Sequence, residues 1–355
     1  MSNYYDWNKT LAYDAEITCV IGARGIGKTY GIRLQAIRDY IKHGYRFVEI
    51  VRHNNELEGT DAIQANYFDR IVDNDEFNGY VFKCTGKLAY IAKKPKGEKD
   101  KPVWELLGYF VALSTFQRAK KRTFSRVRRI IFDEALLERR SDRWHNYLPN
   151  EIELLSSVVN TCARERADTD SVKPRVYLLG NACDLVNPYF ARWKIGDMPK
   201  RGYTWRENKT FLLHYVENTE TPVTQDSVAS HIAGAGAMSD MAILNEFLKQ
   251  DDAYFGKKPA RAKLAFAIVH NRNKYGVWLD AQEGYYYVTP DFPKTTSAPV
   301  YALTADDARP NYVIAKRAQK ALRGFTELYY MGIVKYKDHA TRDGFLNAMK
   351  LYGIY

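Results

Sequence analysis

The stretch from Glu16 to Gly44, EITCVIGARGIGKTYGIRLQAIRDYIKHG, restricts the possible folds more than any other part of the chain. An apolar run ending at Ile21 enters a loop with glycine at 22, 25 and 27, followed by Lys28-Thr29. A helical pattern follows and is closed by Gly44. Glycine tolerates positive φ, so such a loop can turn successive N–H groups toward one point. Gly22-Ala23-Arg24-Gly25-Ile26-Gly27-Lys28-Thr29 meets the GxxxxGK[ST] spacing at every fixed position. A strand leading in and a helix leading out put those N–H groups at the positive end of a helix dipole. The stretch therefore predicts a phosphate cradle formed by the N–H groups of Arg24 to Lys28. Lys28 would reach the β/γ oxygens and Thr29 would ligate Mg²⁺, and Gly22 to Tyr30 with Asp133 are the candidate nucleotide-binding residues.

The rest of the first half agrees with this start. Residues 46–52, 79–83, 88–94, 109–115, 128–135 and 175–181 read as strands, and 149–166 as a helix. Runs such as CVI, IIF and YLL are apolar without alternation, as strands covered on both faces of a parallel sheet require. This is the βαβ alternation of an α/β domain. After about Arg201 the texture changes. Residues 210–218 still read as a strand, 219–240 as a polar Gly/Ala-rich connector and 241–250 as a helix. Residues 256–263 form a basic hinge. Strands at 263–270, 274–280 and 284–290 form an antiparallel meander, 301–305 adds a strand, and helices lie near 311–323 and 339–351. The expected organisation is a domain over 1–205, a connector over 206–255 and a smaller α+β domain over 256–355.

The strand RRIIFDEA ends in Asp133-Glu134. Where a phosphate cradle is present, an acid at that place holds Mg²⁺, and a following glutamate can polarise an attacking water. Strands at 46–52 and 109–115 intervene between the two motifs. The combination resembles the additional-strand catalytic-glutamate class of P-loop NTPases, which includes helicases, ring translocases and packaging motors. It argues against adenylate-kinase-like and GTPase folds. Asn181, ending the next strand, reads either as a sensor of phosphate loss or as an ordinary turn-starting residue. Arg164 and Arg166 read either as an arginine finger for a neighbouring subunit or as charges complementing a helix C-terminus.

Lys and Arg number 53 against 42 Asp and Glu, a net charge of +11 that favours a polyanionic partner. Seven of the basic residues fall in QRAKKRTFSRVRR (117–129), which holds no acid. Arg118, Lys120, Lys121 and Arg122 are the candidate DNA contacts there, with a solvated loop as the plain alternative. Arg52 reads as a nucleotide or DNA contact or as a surface residue, and Tyr285 to Tyr287 as packing or base stacking. The cysteines at 19, 84, 162 and 183 form no CxxC pair and read as reduced thiols. Neither a signal-peptide pattern nor an apolar run near the ~20 residues needed to span a bilayer is present, so a soluble intracellular protein is expected. In the second domain the strand KLAFAIVH lacks the carboxylate that a two-metal nuclease needs, and Asp280 and Asp291 have no evident third partner.

GARGIGKTY with its loop arginine Arg24, the FDE at 132–134 and NACDLVNPYF at 181–190 together resemble the DNA-packaging ATPases of small short-tailed phages of the phi-twenty-nine type. The motifs carry the resemblance over residues 15–200, and length and domain order carry it beyond. It implies an ATP- and Mg²⁺-dependent ATPase that drives double-stranded DNA into a procapsid. It further implies a homomeric ring, a pentamer, docked on the portal in the host cytoplasm, with no membrane association. Lys28, Thr29, Asp133 and Glu134 carry over as the hydrolytic set, and Arg164 as the trans finger with Arg166 beside it. The second domain resembles a vestigial nuclease of ribonuclease H type that contacts a portal-associated scaffold, in some relatives a structural packaging RNA. A large terminase with an active nuclease, a helicase or replication ATPase, and a nucleotide-gated assembly protein of low turnover are the competing readings.

Overall fold

A computed structural model of the chain describes residues 5–60, 62–95, 97, 100–116, 124–137, 147–148, 150–163, 172–182, 185, 187–195, 199–217 and 254–351. The chain divides into two compact units. The first is Met1–Asp184 with Lys200–Leu248; the second is Leu185–Pro199 with Lys249–Tyr355.

The first unit begins with a short helix α1 (Trp7–Leu11), then β1 (Ile17–Ile21), α2 (Lys28–His43) and β2 (Arg46–Val51). A one-turn helix α3 (Asp69–Val72) precedes the hairpin β3 (Tyr80–Thr85) and β4 (Leu88–Lys93). Then come β5 (Glu105–Ala112), β6 (Val127–Phe132), α4 (Glu151–Ala163), β7 (Arg175–Gly180), β8 (Gly202–Arg206) and β9 (Phe211–Tyr215). They build a nine-stranded sheet in the order β3-β4-β5-β2-β6-β7-β1-β9-β8. Neighbours from β5 through β9 pair parallel, while β3, β4 and β8 add antiparallel margins.

The apolar character of the central strands follows from this order. β7 is buried along its whole length, and β1 and β2 are buried beyond their first residues, because both faces are covered. The strand lying between β1 and β6 is β7. The strands at 46–51 and 105–112, which intervene in sequence, lie beyond β6 on its other side.

α2 terminates as its sequence dictates: Gly44, at φ +67°, donates to the carbonyls of Asp39 and Tyr40. Its first turn is sealed by Trp7, whose Nε1 donates to the Lys28 carbonyl at 2.8 Å. A Cβ at Gly31 would stand 2.4 Å from the Trp7 ring, so this contact requires glycine there. The strand read at 109–115 begins earlier, at Glu105, where it pairs with β4, and stops at Ala112 as the chain turns and Ser114 N donates to Arg52 O.

The second unit contains α5 (Pro188–Arg192), β10 (Lys263–His270), β11 (Asn273–Asp280), β12 (Tyr285–Thr289), β13 (Val300–Ala302), β14 (Val313–Ile314), α6 (Ala315–Tyr330), β15 (Val334–Tyr336) and α7 (His339–Leu351). The antiparallel meander β10-β11-β12 is central in the sheet order β14-β13-β10-β11-β12-β15, and β13, β14 and β15 join parallel. The helix read at 311–323 starts only at Ala315 and runs to Tyr330. Asn311 has φ +75°, and 313–314 pair with β13 instead. Tyr287 is buried and Tyr286 packs on the core of this unit.

Two stretches sit elsewhere than the sequence reading puts them. Residues 185–199, assigned to the first domain, cluster with the second unit. The segment assigned as a connector from 206 contains β9, which pairs along its full length with β1 in the first sheet. Among the described residues no helix is long and apolar enough to cross a membrane.

Candidate active site

The loop between β1 and α2 has the backbone that its glycines permit. Gly25 and Gly27 stand at φ +79° and +83°. Gly27 is the N-cap of α2 and no side chain caps it, so the first N–H groups of the helix remain directed to the loop's concavity. Such an array favours an anion. Residues Gly25 to Tyr30 line a cavity of about 400 Å³, within the range of small-molecule sites.

Four of the side chains singled out from the sequence meet at this end of the parallel sheet. The buried Lys28 places its Nζ 2.7 Å from Gly22 O, 2.8 Å from Ala23 O and 3.3 Å from Asn181 Oδ1. Thr29 Oγ1 donates to Asp133 Oδ2 at 2.7 Å, across 104 residues of sequence. The contact is a product of strand order: β1 delivers the loop and β6 delivers Asp133, one strand apart. A hydroxyl and a carboxylate at that separation are hard oxygen donors of the kind Mg²⁺ takes, usually one or two protein ligands together with substrate phosphates. Among the described residues no cluster of three or more His, Cys, Asp or Glu is poised for a metal. The residues present fit Mg²⁺ and a nucleotide triphosphate.

Glu134 has φ +52°, rare for a residue with a β-carbon. Its backbone is fixed from both sides. Its N–H donates to Asp133 Oδ1 at 3.0 Å, and the next N–H, of Ala135, donates to Leu179 O at 2.8 Å. Glu134 O accepts from both Arg52 Nη1 and Nη2 at 3.3 Å, and Ala135 O from Arg52 Nη2 at 3.0 Å. A left-handed residue held this firmly is the kind of local strain that sites retain.

Arg52 is thus not a surface residue. It is 5% exposed, and its guanidinium forms a two-point bond with the Glu151 carboxylate, at 2.9 and 3.0 Å. Glu151, in the first turn of α4, also accepts from Leu148 N. The pair joins the strand end of β2 to the start of α4 around the backbone of Glu134. Behind the loop, the fully buried Glu49 accepts from Arg33 at 2.6 Å and from Tyr67 OH at 2.9 Å. Burial pushes the Glu49 carboxyl up and the Asp133 charge adds to that, while Arg33 opposes both.

Two cavity-lining residues, Arg70 and Asp73, were not singled out from the sequence. Arg70 lies on the one-turn helix α3 and Asp73 caps its end, a stretch too short to carry a sequence signature of its own. The remaining candidates, Arg118, Lys120, Lys121, Arg122, Arg164 and Arg166, lie outside the described residues, as does Cys183. Cys19, Cys84 and Cys162 are free thiols.

In the second unit the carboxylates are engaged locally. Asp280 is buried and accepts from Arg261 Nε at 3.0 Å on both oxygens, and Arg261 holds its carboxyl below the usual range. Asp291 Oδ1 accepts from Phe292 N, and Asp307 accepts from Arg272 N and Thr304.

The sequence profile of the podovirus DNA encapsidation protein (Gp16) family matches residues 1–349. The chain belongs to that family. Membership places it in phage genome packaging. Within the Gp16 family it is 30% identical over 311 residues to the DNA packaging protein of Bacillus phage B103, covering 87% of this chain and 88% of that one. It is 28% identical over 352 residues to the DNA packaging protein of Bacillus phage phi29, covering 96% of each. Among solved structures it is similar to a chain of the bacteriophage phi29 viral genome packaging motor assembly, with TM-score 0.68 and 26% identity over 99% of this chain and 100% of that one.

Proposed function

We propose that the protein is an ATPase that translocates double-stranded DNA into a procapsid, working as a homomeric ring, a pentamer, at the portal in the host cytoplasm. The observation that carries this reading is the 2.7 Å contact of Thr29 with Asp133 beside the buried Lys28, in a member of the Gp16 family. A sheet with one strand between β1 and β6, and a glutamate after the strand-end aspartate, supports the additional-strand catalytic-glutamate class of P-loop NTPase. The similarity to DNA packaging proteins and to a packaging motor assembly supports DNA, portal and ring.

In this reading the N–H groups from Arg24 to Lys28, with Lys28 Nζ, bind the phosphates. Thr29 and Asp133 hold Mg²⁺, which when bound neutralises phosphate charge. Glu134 orients and polarises the attacking water, its position set through a backbone clamped by Arg52. Asn181 reports on the γ-phosphate through Lys28. Arg164, with Arg166 beside it, completes the site of the adjacent subunit, and Arg118, Lys120, Lys121 and Arg122 contact the DNA backbone. The strand arrangement of the second unit supports a ribonuclease H-like shape, and the engagement of Asp280 by Arg261 supports its being inactive as a nuclease. That unit is the candidate contact for the portal or a structural packaging RNA.

The test is reconstituted packaging with procapsids, ATP and linear DNA. Wild type protects DNA from nuclease; Lys28→Ala does not. Mixing Arg164→Ala with Glu134→Gln subunits restores part of the hydrolysis, since some interfaces regain both groups. Failure of wild type to couple hydrolysis to DNA uptake overturns the proposal, and absence of rescue overturns the trans role of Arg164.

A further inference from the structure

Besides residues 25–30, the cavity in front of the loop is lined by Arg70, on α3, and by Asp73, the C-cap of that helix, both exposed. Neither side chain has a hydrogen-bond or ion-pair partner among the described residues. The segment that carries them is nevertheless fixed. Phe68 and Ile71 are buried in the main core of the first unit. Asn74 Nδ2 donates to Tyr30 OH at 2.9 Å, tying the segment to the first turn of α2. Two residues on, Glu76 accepts from Arg38 Nε of α2 at 2.7 Å. An unpartnered cation and an unpartnered carboxylate, carried on an anchored segment, therefore line the same cavity as an anion-binding backbone.

The chemistry of the two groups differs. A carboxylate only accepts hydrogen bonds at neutral pH, and phosphate oxygens repel it. In a cavity that binds phosphates on one wall, it suits the part of the ligand that presents O–H or N–H donors. On ATP those donors are the ribose hydroxyls and the adenine amino group. A guanidinium only donates, and it matches phosphate oxygens. We propose that Asp73 recognises the nucleoside of the bound nucleotide by accepting from its hydroxyl or amino donors, and that Arg70 adds a phosphate contact to those of the loop. This rests on the reading of the cavity as a nucleotide site. It makes the site selective for nucleosides and not merely for polyphosphate.

The experiment is equilibrium binding to the full-length protein by calorimetry, with ATPγS, 2′,3′-dideoxy-ATP, purine riboside triphosphate (which lacks the 6-amino group) and inorganic tripolyphosphate as probes. Asp73→Ala is expected to weaken ATPγS about tenfold, as loss of a charge-assisted hydrogen bond does. It should bind tripolyphosphate at least as tightly as wild type, because a repelling charge has gone. Arg70→Ala should weaken both probes, and Arg70→Lys should restore part of each. Wild type should discriminate against the dideoxy analogue if Asp73 reads the sugar, or against the purine analogue if it reads the base, and Asp73→Ala should lose that discrimination. Equal affinity of Asp73→Ala and wild type for ATPγS, with analogue preferences unchanged, overturns the proposal. Lys28→Ala separates the two levels. Loss of ATPγS binding in that variant alone sinks the inference and spares the nucleotide site, whereas no ATPγS binding by wild type sinks both. Thermal midpoints of the variants confirm that these exposed substitutions leave the fold intact.

Discussion

Asp133 and Asp280 each stand at the end of an apolar strand, one in each unit, and their surroundings are opposite. Asp133 follows β6 and is half-buried, and its carboxylate meets the hydroxyl of Thr29 and a backbone N–H. Asp280 ends β11, is 2% exposed, and has both oxygens on the guanidinium of Arg261, with the Gln282 N–H added to one of them. A hydroxyl partner leaves a carboxylate free to take a cation, since the hydroxyl is itself a cation ligand. A guanidinium already supplies the compensating charge, so a metal would have to displace it. Strand-end position thus does not make an aspartate functional; the identity of its partner does.

This contrast can be broken by substitution. Asp133→Ala should lower Mg²⁺-dependent ATP turnover by roughly a hundredfold or more, on the scale of losing one charge-stabilising group, while Asp280→Ala leaves turnover unchanged. A steady-state phosphate-release assay measures both, and a similar loss in the two variants would remove the distinction.

Arg52 and Glu151 sharpen the comparison, being a sealed ion pair inside the unit that holds the candidate site, with side chains 6% and 0% exposed. Arg52→Ala strands a buried carboxylate and should cost about 3–5 kcal/mol of stability, read from urea unfolding. Arg52→Ala with Glu151→Ala should recover part of that loss. Full turnover in Arg52→Ala at a temperature where it stays folded would show that the clamp on Glu134 is not needed.

A smaller effect comes from His214 on β9. Its Nδ1 meets Tyr5 OH at 2.7 Å, its ring stacks on Tyr203 at 3.8 Å, and burial pushes its pKa down to about 4. The fold favours the neutral imidazole, so its contribution is complete above about pH 6.5 and is lost as pH falls from there toward 4. The thermal midpoint should decline through that window, and His214→Gln should flatten the decline. The smallest expected effect is none: plasmid incubated with Mn²⁺ and wild-type protein stays intact. Cleavage abolished by Asp280→Ala would mean that Arg261 does not keep Asp280 from metal.

What could be read from the sequence follows the range of the interactions. The loop, the helix closed by Gly44 and the Asp133-Glu134 strand end are local signals, set by spacing and by an apolar run. Residue order also conveys that β2 and β5 fall between the two motifs in sequence, yet not that β7 is the strand between them in space. β8 is short and half-exposed, and pairing with β9 defines it more than its own residues do. The Arg52–Glu151 pair spans 99 residues, and nothing near Arg52 announces that it is buried. The same holds for Arg70 and Asp73, which gain meaning only once α3 is folded against the loop.

The most direct test of the account is Glu134→Gln in paired binding and single-turnover measurements with ATP and Mg²⁺. With Glu134 as the general base, the variant should bind ATP as wild type does and hydrolyse it more slowly by roughly a hundredfold or more. Hydrolysis at the wild-type rate in that variant would contradict the placement of catalysis at this strand end.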